Sequence, residues 1–128
     1  MTKLRYTNIS WVDAGTKSLT KVASSGDYTI TAADMADCNH LAFYVDGTSA
    51  SGDYNVTMPA VADWNGKTIS FLIKVAMASG DVTIKTSDGS TYNTATDGDA
   101  VGDVIVVHCD GVNVQELIET NWDAYAGL

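Results

Sequence analysis

Two cysteines and two histidines are the residues of this sequence whose types are best suited to chemistry. Cys38 lies two positions before His40, and His108 directly precedes Cys109. Zinc accepts thiolate and imidazole ligands, usually four of them in a tetrahedral arrangement. Neighbouring residues of a strand point to opposite faces, so His108 and Cys109 could not readily share one ion. We therefore expect no zinc site, and two reduced cysteines that pack as small apolar side chains.

The tripeptide His108-Cys109-Asp110 contains a base, a nucleophile and an acid, which are the residue types of a catalytic triad. In a triad the base lies between the nucleophile and the acid in space, and adjacent residues of a strand cannot adopt that arrangement. The sequence also has no Gly-x-Ser-x-Gly motif that opens a helix. We therefore expect no enzyme activity.

The acidic stretch TDGDAVGD, which contains Asp97, Asp99 and Asp103, is a third candidate. Paired carboxylates could hydrolyse a glycosidic bond, and clustered oxygen ligands could bind Ca²⁺. The stretch lacks the twelve-residue spacing and terminal Glu of an EF-hand, and Asp residues among glycines commonly bond their own backbone. A turn is the favoured interpretation, and calcium binding stays open. No phosphate-binding glycine motif opens a helix, so the sequence predicts no cofactor.

Strands must position these residues, because alternation with a period of two is the clearest pattern in the chain. Residues 67–76 read KTISFLIKVA and alternate between apolar and mainly polar positions, with Leu72 on the polar face. The VIVV of residues 104–107 does not alternate, which predicts a strand covered on both faces. Eight short strands are predicted in all, at residues 19–23, 28–31, 41–45, 54–58, 67–76, 81–85, 104–107 and 111–117. The predicted fold class is all-β, a compact sandwich or jelly-roll-like domain, with at most one short helix capped by Thr31.

Turns and a weak repeat organise these strands. Gly47, Gly66, Gly89, Gly98 and Gly111 each follow an Asp or Asn, a pairing that supplies the positive φ of tight hairpins. The short link after residues 67–76 predicts an antiparallel hairpin with 81–85. Ser-Gly-Asp precedes an alternating strand three times, at residues 25–31, 51–57 and 79–85, which indicates either duplicated units or independent turn chemistry.

Charge divides the chain into unequal parts. The formal net charge is −9 and the pI about 4.2, so binding to the phosphates of nucleic acid is disfavoured. No apolar run is long enough to cross a membrane, and the first residues do not resemble a signal peptide. We expect a basic N-terminal arm at 1–17, a β-domain at 18–119 and a C-terminal tail at 120–128. Trp11, Trp122 and Tyr125 fall in the arms, where an aromatic side chain either folds back onto its own domain or anchors in a pocket of a partner.

Four segments of the predicted domain carry a resemblance to a known class of protein. They read DYTITAAD from Asp27, DYNVTMP from Asp53, NGKTISFLIK from Asn65, and GDVIVVHCDG from Gly102. Their order and style resemble the small β-domains of tailed-phage virions, which serve as capsid decoration (cement) proteins and as modules of tail fibres. The resemblance covers residues 28–119.

The resemblance implies a homotrimer that decorates and stabilises the outer surface of a phage capsid, with the major capsid protein as its partner. Such a virion protein would be assembled in the host cytoplasm. The alternative is a receptor- or glycan-binding module of a tail fibre or adhesin. In the first case we expect the shell to be contacted by Lys3, Arg5, Tyr6 and Trp11. The expected contacts between subunits are Val104, Ile105, Val106, Val107, Trp122 and Tyr125.

Overall fold

The computed structural model describes residues 15–123, which form an all-β domain of two sheets. The strands are β1 (Thr16–Val22), β2 (Tyr28–Thr29), β3 (His40–Asp46), β4 (Tyr54–Thr57), β5 (Thr68–Val75), β6 (Val82–Lys85), β7 (Val104–Cys109) and β8 (Val114–Thr120). The larger sheet has the order β1-β3-β5-β7-β8 and the smaller one β2-β4-β6. The predicted all-β class and its eight short strands are confirmed. Within residues 15–123, no helix has the length and apolarity to cross a membrane.

The first six strands alternate between the two sheets, so that each pair of strands makes one coil of a stack. Strands β1, β3 and β5 pair in parallel, and so do β2, β4 and β6. His40 lies between Thr16 and Thr68, which are 24 and 28 residues away along the chain. This connectivity departs from the antiparallel order of a jelly roll.

The predicted hairpin between residues 67–76 and 81–85 is wrong, because β5 and β6 belong to different sheets. The loop that follows β5 lies against the equivalent loop that follows β3, in the preceding coil of the stack. The backbone N–H of Gly47 donates to Val75 O at 3.0 Å, and that of Ala78 donates to Gly47 O at 2.9 Å. Bonds between successive coils thus take the place of bonds within a hairpin.

The three Ser-Gly-Asp segments lie at the starts of β2, β4 and β6, which stack in one sheet. Asp27 Oδ1 accepts a hydrogen bond from the Asn55 backbone N–H at 3.0 Å, and Asp53 Oδ1 accepts one from the Asp81 N–H at 3.0 Å. Each bond joins residues 28 positions apart. The sequence repeat therefore corresponds to a structural repeat in which an aspartate of one coil binds the backbone of the next.

An aromatic column runs through the core from the first coil to the last. The ring centroids of Tyr28 and Phe43 are 5.7 Å apart, those of Phe43 and Phe71 6.0 Å, and those of Phe71 and Trp122 6.5 Å. These are ordinary separations for interacting aromatic pairs. Around the column lie the buried aliphatic side chains of both sheets, which are contributed by alternate residues of each strand.

Two lysines cover the core at the β1 end of the stack. Lys17, Leu19 and Lys21 lie on the inner side of β1, where β3 has apolar residues. Lys17 Nζ donates to Ala36 O at 2.8 Å, and Lys21 Nζ lies 4.5 Å from the centroid of the Tyr28 ring. The aliphatic stems of both side chains can cover the apolar interior while their charged ends reach polar or aromatic groups.

The indole of Trp122 covers the core at the opposite end. Trp122 is fully buried, and its Nε1 donates to Val82 O at 2.9 Å. The assignment of Trp122 to a C-terminal arm is therefore wrong, because its ring completes the aromatic column of its own chain. Elements of the fold also lie beyond both predicted boundaries, since β1 begins at Thr16 and Asp123 pairs with Ala95.

Strand β7 alternates in burial although its sequence does not alternate in polarity. Ile105, Val107 and Cys109 are buried, whereas Val104 and Val106 are half-exposed on the opposite side. Coverage of both faces of VIVV by a second sheet of the same chain is therefore wrong, and coverage by another subunit stays a prediction. The expectation that His108 and Cys109 face opposite ways is confirmed by the same pattern.

The single predicted helical turn is present as α1 (Ala32–Met35). Thr31 Oγ1 accepts a hydrogen bond from the Asp34 N–H at 3.2 Å, and the Asp34 carboxylate accepts one from the Thr31 N–H at 3.0 Å. This reciprocal capping box satisfies two donors that the helix start would otherwise leave unpaired. The predicted N-cap is thus confirmed.

The five predicted turn glycines divide into two kinds. Gly66, Gly89 and Gly111 have positive φ, as the turn chemistry predicted, whereas Gly47 and Gly98 do not. At these two positions the lack of a side chain matters instead. A Cβ on Gly47 would lie 2.7 Å from the Met77 backbone N, and one on Gly98 would lie 2.7 Å from Trp122 Nε1.

Candidate functional site

The side of the larger sheet that faces away from the core is the candidate functional surface, which we call the outer face. The pairing registers define three rows of outward side chains across its five strands. The rows are Thr16, His40, Thr68, His108 and Gln115; Ser18, Ala42, Ser70, Val106 and Ile118; and Thr20, Tyr44, Leu72, Val104 and Thr120. The smaller sheet covers only the opposite side.

Apolar side chains gather on the half of the outer face that β5, β7 and β8 form. Leu72, Val104 and Val106 are half-exposed, and Ile118 is 54% exposed. Leu117, at an irregularity in the pairing of β8, is 56% exposed. Adjacent apolar residues that are left open to solvent mark a surface for contact with another macromolecule.

A hydrogen-bonded histidine lies beside this apolar half. His40 Nε2 contacts Ser70 Oγ at 2.9 Å, and His40 Nδ1 contacts Thr68 Oγ1. Burial lowers the pKa of His40, because it disfavours the charged imidazolium. The ring is therefore neutral at pH 7, and it ties β3 to β5 without adding charge to the outer face.

The serine and histidine just described do not reproduce a catalytic triad. The group on the far side of the His40 ring is the hydroxyl of Thr68, where a triad has a carboxylate that stabilises the imidazolium. Ser70 is itself buried beneath the neighbouring side chains. The hydrogen bonds of His40 to Ser70 and Thr68 instead hold β3 and β5 in position relative to each other.

A shallow groove of about 400 Å³ opens on the outer face near β1. It is lined by Ser18, Thr20, Tyr44 and Lys74. The small side chain of Ala42, which is paired with Ser18, leaves room beside the Tyr44 ring. Its lining thus combines an aromatic ring, hydroxyl groups and an ammonium.

An acidic pocket of about 320 Å³ lies at the beginning of β6, away from the outer face. Asp81, Asp97, Asp99, Asn121 and Asp123 line it. Burial raises the pKa of Asp81 and of Asp99, and repulsion from the neighbouring carboxylates raises both further. The pocket concentrates negative charge, but within residues 15–123 no three His, Cys, Asp or Glu side chains are arranged to hold a metal ion.

The TDGDAVGD stretch forms the turn that its composition favoured. Asp103 is buried, and its Oδ2 accepts hydrogen bonds from the backbone N–H groups of Asp99 and Ala100, both at 3.0 Å. This carboxylate is satisfied by its own backbone and is turned away from solvent. Asp97 and Asp99 instead line the acidic pocket.

The two cysteines and two histidines are divided between the core and the surface. Cys38 and Cys109 are buried free thiols, with Sγ atoms that lie 3.5 Å from Met35 O and 3.4 Å from Val61 O. His40 and His108 lie on the outer face, on either side of Thr68. The four residues therefore do not form one site.

Of the residues predicted to contact other chains, the structure leaves two on a free surface. Ile105, Val107 and Trp122 are buried in the core of their own chain, so the prediction that they contact another subunit is corrected. Val104 and Val106 lie on the outer face. Tyr125 and the four predicted shell contacts, Lys3, Arg5, Tyr6 and Trp11, lie outside the described residues.

The sequence analysis missed Tyr44, Leu72 and Ile118 as members of a functional surface. Leu72 carried a usable signal, because it was the apolar residue on the polar side of an alternating strand. Ile118 had none, since the irregular pairing of β8 shifts which residues face outward. Comparison with known proteins found no family model, curated protein or solved structure that matches this chain.

Proposed function

We propose that this chain is a structural protein of a phage virion, which decorates and stabilises the outer surface of the capsid as a homotrimer. The proposal combines the resemblance of its strand segments with the character of the outer face. A decoration protein binds assembled capsomers in preference to free ones, and this preference stabilises the assembled state by mass action. Such a role needs a rigid body and an adhesive surface, and no bond is made or broken.

The apolar half of the outer face is the observation that carries the proposal. Leu72, Val104, Val106 and Ile118 lie side by side on β5, β7 and β8, next to His40. Small-molecule sites are usually concave and enclose their ligand, whereas protein interfaces are broader and have an apolar centre. We therefore assign the outer face to contact with the capsid shell.

The distribution of charge supports the same orientation. Residues 15–123 contain five lysines and fifteen aspartates and glutamates, and many of the acids lie in the turns around the sheets. Lys3 and Arg5 precede this acidic domain. In the proposal, these two residues, with Tyr6 and Trp11, contact the shell alongside the outer face, and the acidic turns face solvent.

Co-sedimentation with purified capsid shells tests the proposal. Val106→Asp places a charge on β7, between Ser70 of β5 and Ile118 of β8 and so at the centre of the surface. We expect shell binding to weaken by at least about tenfold, because burying an unpaired charge is costly. Val112→Asp is the matched control, since Val112 is 76% exposed in the β7–β8 turn, off the outer face. Equal binding by both variants would contradict the assignment of the outer face, and no binding by the wild type would contradict the decoration role.

A receptor-binding module is the second candidate, and the groove beside Tyr44 favours it. An aromatic ring flanked by the hydroxyls of Ser18 and Thr20 and by the Lys74 ammonium suits a sugar, especially one that carries a carboxylate. A glycan-binding screen separates the two functions. Binding that is lost in Tyr44→Ala would support the receptor-binding module, and the absence of any hit favours decoration.

A further inference from the structure

We propose that copies of this chain join edge to edge, with β8 of one copy pairing in parallel with β1 of the next, so that the larger sheet continues across the junction. This inference deepens the homotrimer part of the proposed function by naming the surfaces that join the subunits. The occupant of each sheet edge is thus a second copy of the same chain.

Strands β1 and β8 are the two edges of the larger sheet. In the described part of the chain, each of them pairs with a neighbouring strand on one side only. Four consecutive residues of β8, from Gln115 to Ile118, are exposed. A long exposed edge with apolar side chains is a template for the addition of another strand.

The strand directions suit a head-to-tail junction. Strands β1, β3 and β5 run the same way, β7 runs against them, and β8 runs against β7. Strand β8 therefore points in the same direction as β1. A rotation about an axis along the strands would bring β8 of one copy beside β1 of the next in parallel. Head-to-tail contacts of this kind form closed rings when the rotation closes.

Charge on the inner side of the sheet is complementary between the two edges. Lys17 and Lys21 lie on the inner side of β1, where their partners on β3 are buried. Glu116 and Glu119 lie on the inner side of β8, because they pair with the buried Val107 and Ile105. A continuous sheet therefore places two lysines and two glutamates of adjacent copies on the same side of neighbouring strands.

The spacing of these charges agrees with such pairing. The irregularity at Leu117 brings Glu116 and Glu119 opposite residues that are only two positions apart on β7. Lys17 and Lys21 are separated by the single inner residue Leu19. In the in-phase register, which places Glu116 opposite Lys17, Glu119 lies opposite Leu19 and diagonally from both lysines, so each glutamate reaches a lysine.

Other pairings of the same edges are unfavourable. If β8 of one copy paired with β8 of another, Glu116 and Glu119 would face the same glutamates of the second copy. If β1 paired with β1, Lys17 and Lys21 would face the same lysines, so both pairings would be repulsive. A slip of one residue in the β8–β1 junction would exchange faces and bring Lys17 and Lys21 to the side of Ile118. The in-phase junction also brings the outward Ile118 and Thr120 beside Ser18 and Thr20 of the next copy.

The contacts within one chain leave capacity for these bonds. The Lys21 ammonium lies over the Tyr28 ring, and Glu116 accepts a single hydrogen bond, from Asn93 Nδ2 at 3.3 Å. An ammonium has three donors and a carboxylate has two acceptor oxygens. Lys17 Nζ donates to Ala36 O at 2.8 Å and to Ala33 O at 3.4 Å, which leaves one of its three donors. Glu119 Oε2 accepts from the backbone of Trp122 and Asp123. Lys17 lies opposite Glu116 in the in-phase register, so Lys17 and Glu116 are the pair to exchange in an experiment.

Sedimentation velocity of charge-exchanged chains tests the junction. The wild type is expected to associate, and Lys17→Glu or Glu116→Lys alone should each raise the dissociation constant at least about tenfold, because like charges then face each other across the junction. The chain that carries both exchanges, and an equimolar mixture of the two single variants, should associate again. Lys85→Glu, which makes the same change on β6, is the matched control and should behave as the wild type. Circular dichroism of each variant serves as the control for folding.

Several results would overturn the junction. These are a wild type that stays monomeric at every soluble concentration, single variants that associate as tightly as the wild type, or a double exchange that fails to restore association. If the single variants do not fold, the folded double variant still tests the proposal, because its association must match that of the wild type. Shell binding is measured separately, so a monomer that binds shells rejects only the junction. An oligomer that does not bind shells rejects only the decoration role.

Discussion

The contact between Gly98 and Trp122 provides the most direct test of how the stack is closed. Val82 N–H donates to Gly98 O at 2.7 Å, which holds the Gly98 backbone against β6, and the Trp122 indole lies against the position of its missing side chain. Gly98→Ala would place a methyl group 2.7 Å from Trp122 Nε1 and closer still to two ring carbons. Since Gly98 does not have positive φ, this overlap is the main cost of the substitution.

We expect Gly98→Ala to lower the free energy of unfolding by about 1–3 kcal/mol, the usual cost of overpacking a close-packed core. Urea denaturation followed by circular dichroism measures this change. Gly52→Ala is the matched control, because a Cβ there meets no atom within 4 Å and φ is not positive, so its effect should stay within about 0.5 kcal/mol.

A second background shows whether the cost comes from the indole. In Trp122→Leu the added methyl group meets a smaller side chain, so Gly98→Ala should cost at least about 1 kcal/mol less there than in the wild type. Additive effects of the two substitutions would refute this explanation. So would a Gly98→Ala protein that is as stable as the Gly52→Ala control.

Three further predictions concern the capping box and the acidic turns. Thr31→Ala should lower the free energy of unfolding by about 1 kcal/mol, because it removes the cap of α1. Thr29→Ala, at an exposed strand position, is the control and should have a smaller effect. Equal losses of unfolding free energy in urea denaturation would contradict the role of the cap. The pKa of Asp81 is raised above 3.8, mainly by burial and then by neighbouring carboxylates, so the folded state loses stability as the pH rises through that pKa. Asp81→Asn should therefore raise the melting temperature at pH 7 and low salt, with no difference well below pH 3.8, and a lower melting temperature at pH 7 would contradict this sign. Hydrogen bonds from Thr86 and Ser90 lower the pKa of Asp88, so the ionised carboxylate stabilises the folded state above pH 3.8. This stabilisation is lost as the pH falls through the folded pKa. Asp88→Asn should therefore lower the melting temperature at pH 7, and an unchanged melting temperature would show that these bonds add no stability.

The strands could be predicted because the signal for a strand is local. Alternation in residues 67–76 places Ile69, Phe71 and Ile73 on the inner side of β5, and all three are buried. The N-cap at Thr31 is equally local, since its partner is three residues away. Such features depend on backbone period and short hydrogen bonds, which the order of residues alone specifies.

The pairing of the strands could not be predicted in the same way. A short link between two strands suggests a hairpin, yet the link after β5 lies on the link of another coil, 28 residues earlier in the chain. The Ser-Gly-Asp repeat was the signal for this stacking, but its spacing of 26 and 28 residues also suits independent turns. Tertiary bonds such as that between Asp53 and Asp81 decide between the two.

The candidate surface was only partly predictable for a related reason. The position of Trp122 near the chain end suggested an arm, because nothing in the nearby sequence shows that Gly98 makes room for the indole. Val104 and Val106 were selected for their hydrophobicity, whereas the division of VIVV between core and surface depends on the neighbours of β7. Local sequence indicates that a residue is apolar but does not specify which side of a sheet will be covered.

The parallel stack also determines how the chain must reach its native state. Every pairing among the first six strands joins residues 24 to 29 positions apart, so a long loop has to close before any of these hydrogen bonds can form. The β7–β8 hairpin is the local exception, since Cys109 and Val114 are separated only by the Asp110-Gly111 turn and two further residues. Hairpins form within about 1–10 µs, whereas folds dominated by distant pairings take milliseconds to seconds. We therefore expect amide protection to appear first in β7 and β8 and to reach the three stacked coils later.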